Sequence, residues 1–353
     1  MQGATYEEIV RLALGPRWFS FCLATIIVGG IGALTGYLLI LASLLHEVMW
    51  NACPGCGFAS SRTAIVLVLC LFVIFPLSFC RNLHDLSFST LLSFATVVSV
   101  MLTVMWRGCE DLHDAGRDGH PLTAAQSYIQ SDAGLFVNLH PRFFLGWPII
   151  LFSLGCHLQL PLVYLELPPA TRATQMTTTV IPLMTTLVVM LYLITGAFGF
   201  ASFGSDTDGN ILLNYADTDV LASVAKALMA MHIVLAFPVC MFPARAAMDF
   251  FLRTRYQIDP CLRNSVLQSF GIIFISAFLA VLIPQVQTVF GLLGSTIAVS
   301  QTYLFPAAML LAQPNKAPEG KWDFDHRCGW ALVGWSGVTF VLGTASTLID
   351  MIG

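Results

Sequence analysis

The residues with the most chemistry to offer stand inside an apolar run. Trp147-Pro148-Ile149-Ile150-Leu151-Phe152-Ser153-Leu154-Gly155-Cys156-His157-Leu158-Gln159-Leu160-Pro161 sets Ser, Gly, Cys, His and Gln between two prolines. Proline removes a backbone donor and clashes with the turn before it, and glycine is a weak helix former, so a break is expected near Gly155. A broken helix offers amides and carbonyls to a solute, which makes Ser153, Gly155, Cys156 and His157 candidate binding residues. The alternative is a proline kink with His157 satisfied by a neighbouring helix. A second run, Phe290-Gly291-Leu292-Leu293-Gly294-Ser295-Thr296, continues into Ser300, Gln301, Thr302, Tyr303 and Pro306. Its Gly291-x-x-Gly294 spacing reads as close helix packing. Gln301 and Tyr303, deep in the run, need polar partners, and Tyr303 joins the binding candidates. His232, among Met229, Met231 and Ile233, is the ion-coupling candidate, set against a structural, hydrogen-bonded histidine.

Cys53-Pro54-Gly55-Cys56 has thioredoxin-like spacing without the βαβ context of a redox motif. A disulfide from Cys109 to Cys53 or Cys56 is expected, well ahead of zinc binding assisted by His113. No metal centre and no cofactor is expected.

The elements that position these residues follow from charge. Hydrophobic residues make up 57% of the chain and charged ones 10%, against about 25% charged in an ordinary soluble domain, which excludes a soluble enzyme. A net charge of -4 leaves nothing to neutralise a nucleic acid backbone. Windows free of charge are long enough for about nine membrane helices, at residues 18–45, 63–80, 87–106, 143–165, 176–203, 219–242, 266–283, 286–312 and 329–349. Pro284, Gln285 and Gln287 form the turn between the seventh and eighth. Lys226 interrupts the sixth near one end, where its stem is expected to carry the ammonium to the interface. It is the only charge well inside a span, so no catalytic pair exists and an enzyme is not expected. Residues 107–142 form an external loop. Thr5 and Glu8 are spaced as a capping box for a short surface helix ahead of the first span, and a cleavable signal peptide is not expected.

Orientation follows from the basic residues. Arg11, Arg17, Arg81, Arg172, Arg245, Arg253, Arg255, Arg263, Lys316, Lys321 and Arg327 fall on one side; Arg62, Arg107, Arg117 and Arg142 fall on the other. The richer side is cytosolic, with the N-terminus inside and the C-terminus outside. Which organelle or surface membrane houses the chain is left open.

The chain resembles the amino acid/auxin permease family, nearest its branch of sodium-coupled neutral amino acid transporters. Thr5 to Gly15 is similar to the stretch before that family's third helix. Cys156-His157, Tyr164, Glu166 and Leu167 resemble its sixth helix, with Pro161 one place early; Tyr192, Gly196, Phe198, Gly199, Phe203 and Gly204 resemble the end of its seventh. Leu212-Leu213, Tyr215, Asp219, Lys226, Pro238 and Phe242-Pro243-Ala244-Arg245 follow its eighth, and Phe290 to Thr296 with Pro306 its tenth. The resemblance implies an all-α membrane bundle whose spans match helices three to eleven of an eleven-helix inverted-repeat transporter. It implies secondary active transport of neutral amino acids by alternating access, with an amino acid, a coupling ion and the bilayer as partners. The first two helices of that plan have no counterpart here, so a transport-inactive truncated or sensor-like protein is the alternative. Where the sodium-coupled branch keeps a hydroxyl just before the proline matching Pro238, Ile233-Val234-Leu235-Ala236-Phe237 has none, which turns the expectation from sodium to protons.

Overall fold

The structure is a computed structural model describing residues 5–52, 61–78, 87–117, 143–216, 218–258, 261–314 and 323–352. Among the described residues every regular element is a helix. In chain order they are α1 (Tyr6–Leu14), α2 (Pro16–Ala52), α3 (Arg62–Leu77), α4 (Ser87–Arg117), α5 (Phe143–Ser153), α6 (Leu160–Glu166), α7 (Arg172–Phe203), α8 (Val220–Tyr256), α9 (Leu262–Leu282), α10 (Val286–Leu311) and α11 (Phe324–Ile352). Seven of them, α2, α4 and α7 to α11, are long and apolar enough to cross a membrane; α3 and α5 are shorter apolar helices. The chain is an all-helical, multi-pass membrane protein. Its packing resolves into two compact units, Met1–Gly36 with Leu139–Met176 and Cys240–Gly353, and Tyr37–Asn138 with Thr177–Val239.

In the first unit, α1 begins as its spacing predicts, the Glu8 carboxylate accepting the N–H of Thr5 at 3.2 Å. It stops at Gly15, whose φ of +88° is open to a residue without a side chain, and Pro16 starts α2 at once. Tyr6 and Val10 turn one face of α1 onto a buried cluster with Phe19, Cys22, Leu23, Ala247 and Phe305. α5 is seated in two notches. A Cβ on Gly294 of α10 would overlap the carbonyl of Pro148, and one on Gly343 of α11 would lie 2.6 Å from the Pro148 ring. The Gly291-x-x-Gly294 pattern is therefore a packing feature. Thr344 of α11 donates to Ser295 of α10 at 3.0 Å across the same seam.

α10 is not a regular α-helix. Gly294–Ala298 and Ser300–Leu304 are wide π turns, a pattern often found at functional sites. Their shifted carbonyls are met by local hydroxyls: Ser295 and Thr296 donate to Leu292 at 3.3 and 2.5 Å, and Ser300 donates to Thr296 at 2.7 Å.

In the second unit α4 and α7 pack along their lengths, with Gly108 of α4 against Phe198. One expectation is corrected here. α4 continues past Arg107 to Arg117, so the segment read as an external loop begins as helix. Side chains one turn apart sustain it beyond the apolar stretch: Arg107 and Trp106 both donate to the Glu110 carboxylate, at 2.5 and 2.8 Å. Residues 118–142 lie outside the described residues. Lys226 lies near the start of α8, as its place in the sequence predicts. It is 2% exposed, and its ammonium donates to Glu47 at 2.7 Å and to the Tyr215 carbonyl at 3.2 Å. Its acidic partner is a carboxylate on α2.

The notch at Gly294 gives a direct test. Gly294→Ala drives a methyl into backbone and should cost about 3 kcal/mol of stability in a denaturation titration in micelles. Gly271→Ala, on α9 with nothing within 4 Å of the added carbon, should leave stability unchanged or raise it by up to about 1 kcal/mol through helix propensity.

Candidate functional site

The break expected near Gly155 is present. α5 ends at Ser153 and α6 starts at Leu160. Ser153 turns its hydroxyl back to the Ile150 carbonyl at 2.9 Å, and the Gly155 N–H returns to Phe152 at 3.1 Å. The chain reaches α6 through Gln159 and Leu160, whose amides both reach the carbonyl of Cys156, at 3.0 and 3.2 Å. Between these turns the N–H groups of Cys156, His157 and Leu158 find no backbone acceptor among the described residues. Nδ1 of His157 is buried without a hydrogen-bond partner. Gly155 and Ser153 are exposed, and Cys156 and His157 half-buried.

Aromatic contacts fix the helix before the break to α10 and α11. Phe152 stacks on Phe290 with centroids 5.3 Å apart, and Trp147 meets Trp335 edge-on at 6.1 Å. Leu158 packs on the cluster that holds Phe305, the residue after the second π turn. That turn carries Tyr303, half-buried, and Thr302, whose hydroxyl is buried without a partner. Trp147 also holds its indole N–H buried and unpaired. Four of the binding candidates, Ser153, Gly155, Cys156 and His157, thus form one segment, and Tyr303 stands in the wide turn next to Phe305. Trp147 and Thr302 were not legible as polar groups in search of a partner, because sequence shows residue types and not which buried atoms go unsatisfied.

Over residues 1–349 the sequence matches the family described as transmembrane amino acid transporter protein. The chain belongs to that family. It is 25% identical to the amino acid transporter AVT6E of Arabidopsis thaliana, in an alignment covering 98% of this chain and 71% of the relative.

The second unit of this transporter family member holds His232, Cys109 and a cleft lined by charged groups. His232 on α8 has Nδ1 2.8 Å from the Ser93 hydroxyl of α4, the arrangement of a structural histidine. Cys109 is an exposed free thiol on α4; Cys53 and Cys56, its expected partners, lie outside the described residues. Among the described residues no three His, Cys, Asp or Glu side chains come together to hold a metal. A cleft of about 750 Å³ is lined by Arg107, Glu110, Asp111, His113, Tyr215 and Asp219 among others. Asp219 caps α8 through the amides of Leu221 and Ala222 and accepts from Arg107 at 2.6 Å. Burial alone would raise its carboxyl, but these bonds outweigh it and hold the group below the ordinary carboxylate range. Its contribution to stability is therefore complete above about pH 4 and is lost as pH falls through the lowered value. Tyr215 is pushed up to about 12, first by burial and then by Asp111 and Asp219.

Glu47 is the group that sequence reasoning passed over. A lone lysine in an apolar run demands a carboxylate, and Glu47 closes the apolar stretch of α2. Lys226→Met should cost about 3 to 5 kcal/mol by stranding the carboxylate, whereas Lys226→Met combined with Glu47→Leu should recover most of that loss. Denaturation of the two variants side by side measures the difference.

Proposed function

We propose that the protein carries neutral amino acids across a membrane by alternating access, and that the break between α5 and α6 is its recognition site. The observation that carries the reading is the set of amides at Cys156, His157 and Leu158 left without backbone acceptors among the described residues, directly after the C-terminal end of α5. An amino acid brings complementary charges close together. Its carboxylate takes the three N–H donors and its ammonium meets the negative end of the α5 dipole, so one short unwound segment answers both. The family match and the name of the plant relative support amino acids as the solute class.

For coupling we propose the proton rather than sodium. Ile233 to Phe237 offers no side-chain oxygen ahead of Pro238, and α8 is continuous there, so its carbonyls are already bonded. Of the two histidines considered, His157 is the coupling residue in this reading, since its Nδ1 has no partner while His232 is held by Ser93. An imidazole with a free nitrogen can take up a proton beside the bound solute.

Two measurements test this. A panel of neutral L-amino acids should raise the unfolding temperature of the purified protein, and His157→Ala should weaken that stabilisation about tenfold in concentration dependence. In proteoliposomes, uptake should persist when choline replaces sodium, rise with an inward proton gradient, and lose that rise in His157→Ala but not in His232→Ala. Stabilisation that His157→Ala leaves intact, or uptake abolished by removing sodium, would overturn the respective half of the proposal.

A further inference from the structure

The second π turn of α10 has a carbonyl that its own helix cannot serve. The N–H of Phe305 goes to Ser300, five residues back. The donor that would continue this pattern to Gln301 is the next residue, Pro306, which has no N–H. Hydroxyls on the turns supply Leu292 and Thr296, but none of them reaches Gln301. The Gln301 carbonyl instead accepts the phenol of Tyr6 at 2.7 Å, from α1 and 295 positions away in the chain. Tyr6 is 6% exposed and its ring meets Phe305 edge-on at 6.4 Å. Leu158 of the break packs on the same cluster.

We propose that Tyr6 is a positioning residue for amino acid recognition: its hydroxyl fixes the turn Ser300–Leu304, and with it Thr302 and Tyr303, against the cluster that also carries the break. The recognition part rests on the reading of the break as the binding site. α1 is then more than a surface helix between chain start and first span. It supplies the donor that proline withholds, and the wide turn keeps one conformation only while that donor is in place. Packing alone does not account for the choice of residue, since phenylalanine would fill the same space.

The test uses the full chain in lipid nanodiscs, with Tyr6→Phe against Val10→Ala, a fully buried neighbour on the same face of α1 that makes no bond to α10. Hydrogen exchange of the peptide covering residues 299–305 should quicken about tenfold in Tyr6→Phe at nearly unchanged unfolding temperature. Affinity for L-alanine should fall about three- to tenfold, the range for one net hydrogen bond. Val10→Ala should lower the unfolding temperature and leave both readouts as in the wild type. Unchanged exchange in Tyr6→Phe, or equal quickening in both variants, would overturn the hold on the turn. Quickened exchange with unchanged L-alanine affinity, where His157→Ala does lose affinity, would overturn the positioning role while leaving the site in place. If His157→Ala binds L-alanine like the wild type, the site assignment falls and the exchange result still decides what Tyr6 does.

Discussion

A backbone carbonyl at membrane depth has no water to turn to, so every departure from regular helix must be answered by a donor from the protein. This constraint organises α10. Two consecutive wide turns free carbonyls, and the hydroxyls of Ser295, Thr296 and Ser300 are spent on them. Prolines recur at these places: Pro76, Pro182 and Pro306 each stand two residues after a π turn, at Cys70–Ile74, Met176–Val180 and Ser300–Leu304. Widening the helix carries the preceding carbonyl away from the proline ring, which relieves the clash and leaves a hydrogen bond to be found elsewhere.

The broken segment and its seat divide two tasks. Cys156 to Leu158 has unanswered amides and weak local structure, while the helix before it is wedged into glycine notches with Pro148 as the key. Recognition by backbone needs both, because unpaired amides bind only if they are held at fixed spacing. The hydroxyl ladder on α10 and the aromatic pairs at Trp147 and Phe152 hold that spacing without filling the break.

Much of this was legible in residue types. Pro148, Gly155 and Pro161 announced the break, Thr5 and Glu8 announced α1, and the charge-free windows announced the helical bundle. What escaped was partnership. Lys226 read as a residue near a helix end, because spacing along one helix says nothing about Glu47, 179 positions earlier. α4 read as ending at Arg107, because a charged residue marks the edge of apolar sequence and not of hydrogen bonding. The π turns left only an indirect trace, the hydroxyls and Pro306, and the tie between Tyr6 and Gln301 left none. His232 read as the ion-coupling candidate and His157 as a binding residue; the bond from His232 to Ser93 was not visible in sequence.

The buried pair of Glu47 and Lys226 also bears on how the chain enters the bilayer. α2 is synthesised long before α8, so its carboxylate has no ammonium to meet while the intervening helices are made. It must wait protonated, or at the rim of the bilayer, until Lys226 arrives. A lysine amid apolar residues is in turn a poor substrate for insertion by itself, at up to about 3 kcal/mol on translocon scales, the value for the middle of a helix. α8 therefore gains from entering beside α2 and not alone. The ion pair sets an order of assembly in which the two helices are settled together, and it penalises any arrangement that parts them.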